Sequence, residues 1–123
     1  MSPSRPLAIT LFVAFGLLGA LVPSAMQAAT PIKLVATVGP GFALSLTRGG
    51  KVFSRLKAGD YVITVRDRAN NHNFRLVGPG VNRASGIGQI STLTWRLTLR
   101  PGNYRFLCDP HAQTMRGAFA VVR

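Results

Sequence analysis

The sequence predicts an all-β fold: an antiparallel β-sandwich of seven or eight short strands in two sheets. Three observations carry that reading. After residue 30 the apolar residues recur at every second position instead of every 3.6. Turn residues punctuate the chain every 8–12 positions. No segment of this region shows a helix-period stripe. With 123 residues in all, the chain has room for one such domain and a single core.

The elements follow in order. Ile32 to Val38 and Phe42 to Thr47 are the first two strands. Thr47-Arg48-Gly49-Gly50-Lys51 is a tight hairpin, because Gly-Gly accepts the positive φ of primed turns. Val52 to Leu56 is next, closed by the turn Lys57-Ala58-Gly59-Asp60. Tyr61, Ile63 and Val65 alternate with Val62, Thr64 and Arg66, the pattern of a half-buried strand. His72, Phe74 and Leu76 share one face opposite Asn73, Arg75 and Val77. Gly78 to Ser91 has no usable period and reads as a long loop. Leu93, Trp95, Leu97 and Leu99 alternate with Thr94, Arg96, Thr98 and Arg100, and Arg100-Pro101-Gly102-Asn103 turns the chain. Tyr104, Phe106 and Cys108 share the next inward face, and Gly117 to Val122 is the last strand. Phe74, Phe106 and Trp95 read as core. The outward Arg66, Arg75, Arg96, Arg100 and Arg105 read as a solvated face that discourages edge-to-edge pairing.

Residues 1–29 stand apart from this domain, which runs from 30 to 123. Arg5 precedes an uncharged apolar run from Leu7 to Val22, closed by Pro23-Ser24-Ala25. A positive start, a short apolar stretch and small residues at its exit describe a secretory signal peptide. An uncleaved anchor is the alternative, although the run is shorter than the roughly 20 residues that comfortably span a bilayer. Either way the domain is expected to work outside the cytoplasm, periplasmic or extracellular, held to a membrane only if the segment stays uncleaved.

Fifteen Lys+Arg stand against three acids, Asp60, Asp67 and Asp109. From Thr30 onward, fourteen cations against the same three acids leave +11. Paired-carboxylate catalysis and an all-oxygen calcium cage are almost excluded, because both need several acidic ligands close together. One Cys excludes an intrachain disulfide and any multi-Cys cluster. Export and scattered cations weigh against nucleic acid.

The soft metal donors are concentrated in two places. One is Asn71-His72-Asn73-Phe74; the other is Cys108-Asp109-Pro110-His111-Ala112-Gln113-Thr114-Met115. Cys108 ends a strand facing inward, Pro110 stops the strand, and His111, three positions on, can turn back toward the thiolate. Met115 lies across the same turn. Two imidazoles, a thiolate and a more distant thioether form the His₂Cys set with weak axial Met of blue-copper sites. Zinc accepts His₂Cys but usually takes a fourth strong ligand. Asn73 is placed to support the site by hydrogen-bonding to the loop of Cys108.

Leu99-Arg100-Pro101-Gly102-Asn103-Tyr104-Arg105-Phe106-Leu107-Cys108-Asp109-Pro110-His111 resembles the C-terminal signature of the cupredoxins, especially the plastocyanin-like group. That signature runs L-x-P-G-x-Y-x-F-x-C-x-P-H with a Met close behind. His72-Asn73-Phe74 resembles the family's upstream His motif. The resemblance covers the domain from about Pro31 to Arg123. It implies a Greek-key, cupredoxin-like β-sandwich that carries one type 1 copper on His72, Cys108, His111 and Met115. It also implies electron transfer as the activity, with His111 as the partly exposed ligand through which electrons pass. Three residues separate His111 from Met115, where plastocyanins have four and amicyanins two. The acidic patch of plant plastocyanins has no counterpart here.

The expectation is thus an exported electron carrier, not an enzyme. The alternative is an exported copper carrier or buffer without a redox role. Catalysis by Cys108 with His111 as base lacks an evident orienting residue. Pro110, Ala112, Pro40-Gly41 and Pro79-Gly80 are the expected apolar rim, with Arg75 and Arg116 the nearest charges. The basic domain favours an acidic redox partner or an anionic membrane surface. A monomer is expected.

Overall fold

The computed structural model describes residues 2–4, 6, 10, 14, 16, 19–27 and 29–123. Arg5 and most of the Leu7–Val22 run, on which the export expectation rests, lie outside them. Among the described residues no helix is long and apolar enough to cross a membrane.

The ten strands among the described residues are β1 (Ile32–Val38), β2 (Leu44–Arg48), β3 (Lys51–Val52), β4 (Arg55–Lys57), β5 (Gly59–Asp67), β6 (Arg75–Gly78), β7 (Val81–Ala84), β8 (Ser91–Leu99), β9 (Gly102–Leu107) and β10 (Arg116–Val122). They form two five-stranded sheets, β3-β2-β1-β5-β8 and β4-β10-β9-β6-β7. The inward residues are mostly those the alternation selects: Leu34, Ala36 and Val38; Tyr61, Ile63 and Val65; Trp95 and Leu99, whereas Leu97 is half-buried and Leu93 is exposed. A row of aromatic side chains, Phe74, Phe106, Phe119 and Tyr104, fills the space between the sheets.

The sandwich is as expected, but its sheets are mixed instead of antiparallel throughout. β1 pairs with β5 in parallel, Leu34 opposite Ile63 and Ala36 opposite Val65. β4 pairs with β10 in parallel. The cause is a crossing. After the β1–β2 hairpin, β3 stays in the first sheet, β4 joins the second, and the chain returns to lay β5 beside β1. Parallel pairs need such a crossover, and side-chain alternation carries no information on strand direction. The strand expected over Val52–Leu56 is therefore two, on different sheets. The loop expected over Gly78–Ser91 contains β7, whose Val81–Ala84 pairs with β6. Its alternating burial is interrupted by exposed Asn82 and Arg83 at the sheet edge, which hides the period.

Two glycines fit β9 into its sheet. A Cβ on Gly78 would lie 2.2 Å from the Tyr104 ring, and one on Gly117 2.2 Å from the Phe106 ring. Each aromatic ring thus lies over a neighbouring strand's bare backbone. The Tyr104 hydroxyl also donates to the Arg100 carbonyl and accepts from the Arg100 amide, both at 2.9 Å, which fixes the β8–β9 turn.

Candidate metal centre

The connection between β9 and β10 is a closed loop. Leu107 pairs with Arg116 at the end of the ladder. One step further the Cys108 amide donates to the Met115 carbonyl at 3.0 Å. Inside that closure Asp109–His111 makes a single 3₁₀ turn, with Pro110 in its first turn, where a missing N–H costs nothing. The His111 carbonyl accepts from the amides of Thr114 at 3.1 Å and Met115 at 2.8 Å. The turn therefore presents Cys108, His111 and Met115 on one short, internally bonded segment.

His72 arrives from the neighbouring strand. β6 pairs with β9, with Arg75 opposite Leu107, so the loop leading into β6 ends beside the loop leaving β9. His72 lies in that lead-in, ahead of the strand itself, and is 2% exposed; Cys108 is fully buried and His111 partly exposed. The Nδ1 atoms of the two histidines are 3.0 Å apart, and Cys108 Sγ lies 3.6 Å from His72 Nδ1 and 3.7 Å from His111 Nδ1. His72, Cys108 and His111 are grouped with their donor atoms within 4.8 Å of one another. Metal–nitrogen bonds of about 2.0–2.1 Å and a metal–sulfur bond of about 2.3 Å, spread around a trigonal plane, would set donors about 3.5–3.8 Å apart. The two sulfur–nitrogen sides match those values and the nitrogen–nitrogen side is about 0.5 Å shorter, so the three donors stand close enough to share a single ion. Met115 is buried against Cys108 and Val38 in a small cluster of its own, flanked by Leu44.

Asn73 bridges the two loops. Its side-chain amide donates to Asp109 Oδ2 at 2.8 Å, and its carbonyl oxygen accepts from the Asp109 amide at 2.7 Å. Its backbone N–H points at Cys108 Sγ, 3.5 Å away. This is the supporting role read from the sequence. Buried Ser85 secures the other side: its hydroxyl accepts from the Phe74 amide at 2.8 Å, and its amide donates to the Phe74 carbonyl at 2.9 Å. Arg75 reaches Asp109 with Nε 2.7 Å from Oδ1 and Nη2 2.8 Å from Oδ2. That guanidinium, more than any other influence, holds the Asp109 carboxyl below the ordinary carboxylate range; burial opposes it and Asn73 assists.

The rim differs from expectation. Pro79 and Gly80 stand at the far end of β6, packed beside Gly102 and the Arg100 guanidinium, because β6 runs away from the site. Phe42 takes their place. It lies in the loop before β2 instead of in a strand, 69% exposed. Its ring centroid is 5.9 Å from that of His72 and 5.1 Å, edge-on, from that of His111. Gly39, in the same loop, backs His72: a Cβ there would stand 3.6 Å from its ring and 2.8 Å from Ala69 Cβ. Phe42 and Ser85 were not legible as site residues; neither carries a ligating atom or a motif position.

No family model and no curated relative matches the sequence. Solved structures do match. Rusticyanin from Thiobacillus ferrooxidans superimposes with a TM-score of 0.55 at 20% identity, over 77% of this chain and 79% of that one. Reduced rusticyanin gives 0.51 at 21% identity, over 78% and 82%. Rusticyanin is a copper protein. A dithionite-reduced auracyanin from Roseiflexus castenholzii aligns over 79% of this chain and all of that one, at 19% identity and a TM-score of 0.48. At these identities the likeness is one of fold, and at the place where two of its loops meet the chain also sets a His-Cys-His-Met group: it has the fold of the cupredoxins.

Proposed function

We propose that the protein is an exported type 1 copper protein that carries single electrons between redox partners. Copper would be held by His72, Cys108 and His111, with Met115 as a further, weaker sulfur donor. The observation that carries this reading is the triangle of two Nδ1 atoms and one Sγ, closed around a buried thiol. Such a donor set with a neighbouring thioether suits copper, whereas zinc draws a fourth strong ligand. When bound, copper supplies the one-electron couple. The chain's own contribution is to hold the donors in one arrangement: a backbone hydrogen bond closes the Cys108–Met115 loop, and the Asn73 side chain ties it to the loop of His72. His111, partly exposed under the Phe42 ring, is the exchange point. The +11 charge favours an acidic partner and an association that weakens with salt. Export rests on the Arg5, Leu7–Val22, Pro23-Ser24-Ala25 pattern.

The test is to add Cu(II) to the full chain and record visible absorption and electron paramagnetic resonance. An intense thiolate-to-copper band with narrow hyperfine splitting is expected, absent in Cys108→Ser and His111→Ala. A colourless wild type, or colour that survives Cys108→Ser, would sink the proposal. Met115→Leu should keep the colour and raise the potential. A blue protein with slow electron self-exchange but fast copper exchange would instead favour a copper carrier. Because the thiolate and imidazoles must be deprotonated, copper affinity should fall with acid.

A further inference from the structure

The Asn73 bridge does not end at Asp109; it continues to the outer face of the second sheet. The Arg75 guanidinium takes both carboxylate oxygens of Asp109 and gives its remaining nitrogen, Nη1, to Asn82 Oδ1 at 2.8 Å. Among the described residues Arg75–Asp109 is the one ion pair in a chain rich in cations. Asp109 directly follows Cys108, and Asn73 touches both its carboxylate and Cys108 Sγ, so the charge lies within one residue's reach of the thiolate. An isolated negative charge there favours the more positive, oxidised metal and lowers the potential. A forked, two-bond guanidinium cancels that charge and fixes the carboxylate plane at once. The contacts between Asn73 and residue 109 require only a backbone amide and one acceptor oxygen, which an uncharged side chain would also supply. The acid at 109 is therefore explained by its pairing with Arg75 and not by the bridge alone.

We propose that Arg75 is a positioning residue of the metal centre: by neutralising Asp109 it holds the reduction potential above the value the bare carboxylate would set, and it steadies the Asn73–Cys108 contact. The inference rests on the copper reading above.

Four full-length variants test it, each loaded with Cu(II) and titrated for reduction potential, with melting of the metal-free protein measured in parallel. Arg75→Gln should keep the blue band and lower the potential. Asp109→Asn should keep the band and raise it. The double variant should return close to wild type, since the charge balance is restored. Arg75→Lys, which keeps the charge without the fork, should stay near wild type in potential. All single variants should melt somewhat earlier without metal, so a purely structural role would give shifts of one sign and no recovery in the double variant. Shifts of one sign, or none in a protein that is blue, overturn the inference and leave the copper reading intact. A wild type that never turns blue overturns both.

Discussion

Asp67 stands at the end of β5 with its side chain turned inward, 1% exposed. Its Oδ1 accepts from the Ala69 amide at 3.1 Å, while Oδ2 has no partner among the described residues. Burial pushes its carboxyl above the usual range, against smaller lowering effects from the Ala69 amide and nearby His72. A carboxyl raised in the folded state keeps its proton to higher pH there than in the unfolded chain, whose value is about 3.9. The folded protein then binds more protons, so this group's contribution to stability falls as pH rises from about 4 through the raised value, then levels off. Asp109 has the opposite sign: its lowered carboxyl contributes stability above the unfolded value that is lost as pH falls through the folded one. In Asp67→Asn, denaturant unfolding of the metal-free protein should lose the decline above about pH 4 and end more stable than wild type at neutral pH. An unchanged pH profile would mean that Asp67 is not carrying a buried charge. At this scale the sequence was most informative where residue types are rare. The single Cys and the two His could be singled out because few other side chains bind soft metals. Phe42 and the Arg75–Asp109 pair were not legible as a unit, because contacts across 34 positions leave no local period.

At the scale of strands, β9 is the element on which the centre depends, since it delivers Cys108 and is flanked by β6 and β10, which lead to His72 and Met115. Its fit depends on Gly117. The Phe106 ring lies over that glycine and between Phe74 and Phe119, at centroid distances of 5.9 and 6.4 Å. Gly117→Ala would drive a methyl into the ring, which Phe74 and Phe119 flank and which can yield only toward the cavity it lines. Overpacking of this kind costs about 1–3 kcal/mol. Denaturant unfolding of the variant should show a loss in that range, and a loss well below it would mean that Phe106 can turn aside. The existence of β1, β5, β8, β9 and β10 was legible, because each alternates cleanly. Their partners were not. Pairing order depends on where the chain crosses between sheets, and the short Lys51–Lys57 stretch in which it does so has too few residues to show a direction.

At the scale of the whole molecule the apolar interior is divided. The large cluster runs from Leu34 and Ile63 through Phe74 and Trp95 to Tyr104 and Phe119. Val38, Cys108 and Met115 form a separate small one beside Leu44. Most of the burial that opposes chain entropy lies in the large cluster, which contains none of the four proposed ligands. The domain should therefore differ from a zinc finger, whose chain has no fold until metal arrives. Stripping the copper with a chelator should leave far-ultraviolet circular dichroism unchanged and a cooperative melt in place, at a lower temperature than the loaded protein. A metal-free protein that had lost its sheets would contradict this. On the copper reading, the divided interior would make the protein a finished receptor that is emptied and refilled without being rebuilt, its stability and its occupancy set by separate groups of residues.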